Sequence, residues 1–157
     1  LQWTSTDIVV LLKNEVDNFL PLAEKKKIDL SFIPESEQLN SKIDKGYFSQ
    51  VVENLISNAI KYTHKNGMVE VSISQLESGD YFRIIVKDNG QGISMRDQKL
   101  LFSKFQPLSS TPTDGEDSTG LGLAIVKKYV EAMNGHIWCE SEFEKGSTFF
   151  VEFPIES

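Results

Sequence analysis

Residues 69–88 read VEVSISQLESGDYFRIIVKD, and this stretch decides the fold. Val69, Val71 and Ile73 alternate with Glu70, Ser72 and Ser74. A turn at Ser78-Gly79-Asp80 follows, and then Phe82, Ile84 and Val86 point one way. Alternation with period two on both sides of a turn is the mark of a hairpin with one buried face. That face needs a cover, and the flanks supply helices. Upstream, Tyr47 to Tyr62 places Phe48, Val52, Leu55, Ile56 and Ala59 on one side, and Ile8 to Ala23 does the same with Ile8, Leu12, Val16, Phe19 and Ala23. Ser5, Thr6 and Asp7 are its N-cap candidates, and Pro21 is expected to kink or shorten it. IDLSFI (28–33) and a segment around Ile43 read as short strands. Downstream, residues 94–105 look helical in part, 106–119 are a polar loop, 121–133 are a helix closed by Asn134-Gly135, and HIWCES (136–141) and STFFVEF (147–153) form a last strand pair turning at Gly146. Helices and strands do not alternate strictly. The expected architecture is therefore an α+β two-layer sandwich, with a mixed, mainly antiparallel sheet of about five strands and about three helices on one face.

The 157 residues fit one domain, and 39% apolar with 25% charged residues is ordinary globular composition. The net charge of −7 argues against nucleic acid or an anionic lipid surface as the main partner, so an anionic ligand needs an amide-lined or locally basic pocket. Cys139 is the single cysteine, which excludes an internal disulfide, speaks against a cysteine-based zinc site and suits a reducing, cytoplasmic compartment. No run approaches the roughly 20 apolar residues of a membrane span. The chain opens at Leu1 without an initiator Met and reads as a piece of a longer protein.

Three stretches carry chemistry. On the second helix, Asn54, Asn58, Lys61 and Tyr62 share one narrow face. They are either a solvated helix face or a site in which Asn58 offers a neutral oxygen to magnesium and Lys61 a charge to phosphate. VKDNGQGI (86–93) puts a carboxylate, Asp88, at the end of a buried strand before Gly90 and Gly92, either a simple turn or a place where a flat ring meets an acidic acceptor and bare backbone. TGLGLAIVKK (119–128) starts a helix behind Gly120 and Gly122, either for close packing or as an anion site built of free N–H groups.

Together and in order, these stretches resemble the catalytic ATP-binding domain of two-component sensor histidine kinases. That branch belongs to the superfamily of type II topoisomerase, mismatch-repair and heat-shock chaperone ATPases. ENLISNAIKYT (53–63) resembles the N box, DNGQGI (88–93) the first glycine box, LFSKF (101–105) the F box, STGLGLAIVKKYVEAMNGHIWCES (118–141) the second glycine box and KGSTFFVEFP (145–154) the closing strand. The resemblance covers essentially the whole chain, 1–157, and implies a Bergerat-type fold that binds ATP and Mg²⁺. It makes Asn58 the metal ligand, with Asn54, Lys61 and Tyr62 at phosphates or ribose. Asp88 takes the adenine amine, with Gly92 close to the ring, and Gly90 and Ile93 are nucleotide-binding residues beside it. Gly120, Leu121 and Gly122 offer backbone to the phosphates, Phe102 and Phe105 anchor the base of the lid, and Thr119, Leu123 and Thr148 are further nucleotide-binding residues. Many members carry a basic residue just after the second phenylalanine. Here no Lys or Arg occurs from Gln106 to Leu123, and Lys104 takes that role or is a solvated charge.

The resemblance further implies phosphoryl transfer to a histidine on a separate dimerisation domain of the same protein, in a homodimer serving a response regulator receiver domain. Related ATPases hold a water-orienting glutamate four residues before the metal-binding asparagine. Asn54 stands there, and an amide takes no proton from water. Glu53 is turned about 100° from that face. Neither His64 nor His136 has the context of an acceptor. A related ATPase, a serine kinase and a nucleotide-binding regulatory module are the alternatives.

Overall fold

The computed structural model describes residues 1–103 and 122–156. Strand β1 (Trp3–Asp7) leads into helix α1 (Ile8–Lys26), followed by β2 (Asp29–Pro34), β3 (Asn40–Asp44), α2 (Lys45–Lys61), β4 (Met68–Gln75), β5 (Tyr81–Asp88), α3 (Met95–Leu100), α4 (Leu123–Ala132), β6 (His136–Glu142) and β7 (Gly146–Pro154). The main sheet has five strands in the order β2-β4-β5-β7-β6. Only the β2–β4 pairing is parallel, so the sheet is mixed and mainly antiparallel, as the hairpin reading requires.

The register sets Val71 opposite Val86 and Ile73 opposite Ile84, and β7 continues the rows with Phe149 and Val151. These side chains form one core with Leu12 and Val16 of α1, Phe48, Leu55 and Ile56 of α2, and Val126 and Val130 of α4. Phe153 joins sheet to helix, its ring centroid 5.5 Å from Phe82 and 6.1 Å from Phe48. Asp7 and Asp44 cap α1 and α2, accepting hydrogen bonds from Val9 and Val10, and from Tyr47.

Helix α1 is not shortened at Pro21, and a strand that the sequence does not mark precedes it. Helix α1 runs through Pro21 to Lys26, because Pro21 and Asp17 are exposed and water can serve the carbonyl that the missing N–H leaves. Residues 3–7 form a strand, because their backbone pairs with β3 in a separate two-stranded sheet. No helix among the described residues is long and apolar enough to cross a membrane.

Candidate functional site

The hairpin ends at Asp88, beside the last turn of α2, and a pocket opens between them. Asn58, Ala59, Tyr62, Asp88, Gly92, Ile93, Ser147 and Phe149 line it. Asp88 is buried, with 7% of its surface exposed. Its Oδ1 accepts hydrogen bonds from the backbone N–H of Gly90 at 2.9 Å and of Ser147 at 3.3 Å. Among the described residues no hydrogen bond reaches Oδ2, so one oxygen is anchored and the other is presented as an acceptor. Burial pushes the carboxyl up to about 6, against the opposing pull of the two N–H groups.

The loop after Asp88 is held by backbone on both sides. A side chain at Gly90 would place its Cβ 2.2 Å from the Tyr62 carbonyl, which also accepts from Gln91 N at 3.1 Å. Gly92 has φ +71°, and its Cβ would lie 2.2 Å from the carbonyl of Glu142. Both glycines thus let the loop press against α2 and the β6–β7 turn. The side-chain direction of each glycine is thus taken by neighbouring backbone, while Gly92 also forms part of the pocket wall. Ser141 tightens the same junction: its Oγ accepts from Ile93 N at 2.7 Å and lies 2.8 Å from Ser147 Oγ.

On α2, Asn58 is buried, and its Nδ2 donates to Asn54 Oδ1 at 2.8 Å. That bond is made by the amide nitrogen, and the oxygen, Oδ1, is by its chemistry the atom of Asn58 that suits a hard cation. Among the described residues no group of three or more His, Cys, Asp or Glu side chains is placed to hold a metal. A cation here would depend on asparagine, water and phosphate oxygens, which suits Mg²⁺. Tyr62 reaches the pocket, whereas half-buried Lys61 is not part of its lining. Glu53 is turned to α1, where it faces Glu15. Burial, with Glu53 adding to it, raises the Glu15 carboxyl above its ordinary range, and the hydrogen bond from Ser49 opposes the shift.

Helix α4 meets the same face. Gly122 caps it with φ +65°, and a Cβ there would lie 2.6 Å from Asn54 Nδ2. Leu123, read from sequence as a nucleotide contact, is 2% exposed and packs into the core. Phe102 is half-buried against the core, with Lys127 Nζ 5.9 Å from its ring centre. Lys104, Phe105, Thr119, Gly120 and Leu121 lie outside the described residues.

Thr148 needs correction. Successive β7 residues point to opposite sides of the sheet, and it is Ser147 and Phe149 that face the pocket. Thr148 sits on the other face, between Lys87 and Glu140 in the register. Alternation counted back from Phe149, Val151 and Phe153 is the signal that points to Ser147. Cys139 is half-buried, and burial first, then the charge of Asp88, pushes its thiol up to about 12. His64 and His136 are exposed.

Known proteins resemble this chain in sequence and fold. A family model described as histidine kinase-, DNA gyrase B-, and HSP90-like ATPase matches residues 43–157. The chain is 36% identical over 143 residues to the sensor protein kinase WalK of Staphylococcus haemolyticus, an alignment covering 91% of this chain and 23% of that protein. It therefore spans about a quarter of the relative's length. The nucleotide-free catalytic domain of histidine kinase ThkA matches all of both chains with a TM-score of 0.86 at 26% identity. ThkA in complex with the response regulator protein TrrA matches 98% of this chain and 42% of that one, with a TM-score of 0.79 at 27% identity. The chain belongs to the histidine kinase-, DNA gyrase B-, and HSP90-like ATPase family, and it is an ATP-binding catalytic domain of the sensor histidine kinase type.

Proposed function

We propose that residues 1–157 bind Mg²⁺·ATP and position its γ-phosphoryl group for transfer to a histidine on a separate dimerisation domain of the parent protein. The acceptor oxygen of Asp88 carries this reading. A buried, pocket-lining carboxylate with one oxygen fixed by two N–H groups matches, through its other oxygen, the N6 amine of adenine. It faces the O6 of guanine with lone pair against lone pair. Ser147 holds that carboxylate, Tyr62, Ile93 and Phe149 enclose the base, and Asn58 Oδ1 is assigned to the metal between phosphates. Mg²⁺, when bound, neutralises charge on the transferred group.

Transfer is favoured over hydrolysis by Asn54. Its amide stands on the site face and accepts from Asn58, while the nearest carboxylate on the helix, Glu53, is engaged with Glu15. Neither can orient and deprotonate water. The response regulator named in the ThkA complex supports a receiver domain as the eventual phosphate acceptor of the parent protein. The net charge of −7 argues against nucleic acid or lipid headgroups as the main partner. Calorimetric titration with Mg²⁺·ATP and Mg²⁺·GTP tests the base assignment. ATP is expected to bind at least about tenfold more tightly, and equal affinities would contradict it.

A further inference from the structure

Residues 25–27 are a run of three lysines at the end of α1, and the middle one is buried. Lys26 is 9% exposed, while Lys25 and Lys27 face solvent. Lys26 lies three residues after Ala23 on the buried face of α1, and the left-handed turn at Lys27, φ 61°, ends the helix there and directs the chain into β2. Lys26 Nζ thereby reaches across to α2 and donates to the carbonyl of Ile60 at 2.8 Å and of Lys61 at 3.3 Å. The same corner is sewn down by Asn66 N to Lys27 O at 2.9 Å and Asp29 N to Gly67 O at 3.0 Å.

These carbonyls belong to the last turn of α2, which carries Asn58 and Lys61 and ends at Tyr62. The free carbonyls of a helix end amount to about half a negative charge. That is the wrong sign beside a triphosphate. Tyr62 O accepts from Gln91 N and Ile60 O also accepts from Thr63 N at 3.4 Å, and the Lys26 ammonium adds its positive charge to the carbonyls of Ile60 and Lys61. Lys26 is not among the pocket residues, so whatever it does for a ligand it does through the helix.

We propose that Lys26 is a positioning residue for the nucleotide phosphates, its buried ammonium neutralising the carboxyl-terminal pole of α2 at the turn that carries Asn58, Lys61 and Tyr62. The inference rests on the reading of the pocket as an ATP site. It makes a distinction that simple packing would not: loss of the charge weakens a charged ligand and spares a neutral one. NMR titrations of the wild-type chain and of Lys26→Met, Lys26→Gln and Lys26→Arg with Mg²⁺·ATP and with adenosine read this out. Lys26→Met keeps the aliphatic stem, and Lys26→Gln keeps a donor for the carbonyls. Both are expected to bind Mg²⁺·ATP about three- to tenfold more weakly, the size of one charge removed from a helix end. Adenosine affinity stays within about twofold, and Lys26→Arg restores ATP binding. Equal weakening of both ligands, or of neither, overturns the proposal. Failure of both neutral variants to fold also overturns it, by leaving Lys26 a structural role alone. A wild-type chain that does not bind Mg²⁺·ATP would instead overturn the nucleotide reading and this inference with it.

Discussion

Replacing Asp88 by Asn is expected to weaken ATP binding and stabilise the ligand-free domain at the same time. The stability half follows from burial. The carboxyl is moved from its ordinary 3.8 to about 6, which corresponds to roughly 3 kcal/mol in favour of the neutral form. Between those pH values the folded state holds a proton that the unfolded chain has released, so this group's contribution falls as pH rises and the penalty is complete at pH 7. The amide of the variant is neutral throughout. It would still accept from Gly90 and Ser147, though without the assistance of charge, so about 1–2 kcal/mol of the penalty is recovered. For a domain of this size that raises Tm by about 3–6 °C at pH 7, and the gain shrinks by pH 4.5, where Asp88 is already protonated. The binding half follows from orientation. The two N–H groups that hold Oδ1 would fix the amide oxygen in its place and leave the NH₂ where Oδ2 now points, so a donor meets the N6 donor of adenine. Loss of a charge-assisted hydrogen bond weakens ATP by about 10- to 150-fold, and GTP, whose O6 is an acceptor, loses less. Thermal unfolding at both pH values together with calorimetric titration is the assay. A variant with wild-type affinity, or one less stable than wild type at pH 7 with an intact far-ultraviolet spectrum, refutes the reasoning.

Wild-type ATP affinity should itself fall as pH drops through about 6, since protonation of Asp88 removes the acceptor; titrations from pH 5 to 8 check this, and a flat profile argues against it. Asn58→Ala is expected to reduce Mg²⁺-dependent phosphorylation in the full-length kinase by at least about tenfold while nucleotide binding drops less. Normal phosphorylation would make Asn58 a simple helix-face amide. Ser147→Ala should weaken ATP severalfold because it loosens the Ser141–Ser147 contact beside Asp88, whereas Thr148→Ala on the opposite face should leave affinity unchanged. A titration showing the reverse order would restore Thr148 to the site.

Much of the fold is legible in sequence because local pattern and tertiary demand agree. The β4–β5 hairpin alternates without a break and pairs as its alternation requires, and α2 shows its buried face plainly. Strand β1 is not legible: WTSTD has no apolar alternation, and only β3 makes it a strand. The site divides in the same way. Asp88, Asn58, Tyr62 and Ile93, each singled out in sequence, line one pocket, since each is fixed by the period of its own element or by an adjacent turn. Thr148 falls on the wrong side because a shift of one residue on a strand exchanges faces. Gly90 and Gly92 need their neighbours known before their role is clear, because the atoms they avoid belong to Tyr62 and Glu142, remote in sequence. Lys26 is the extreme case. Its place three residues after Ala23 continues the buried face of α1, but the carbonyls that receive its ammonium belong to the distant end of α2, which the sequence does not bring near.

The claim that this chain supplies phosphoryl transfer without its acceptor is tested by incubation with γ-labelled ATP and Mg²⁺, alone and with a dimerisation hairpin of the parent protein bearing the acceptor histidine. The account predicts slow phosphate release and no labelled protein from the chain alone, and label on the hairpin histidine when both are present. Label on His64 or His136 without the hairpin, or rapid phosphate release from the isolated chain with no transfer to the hairpin, would contradict it.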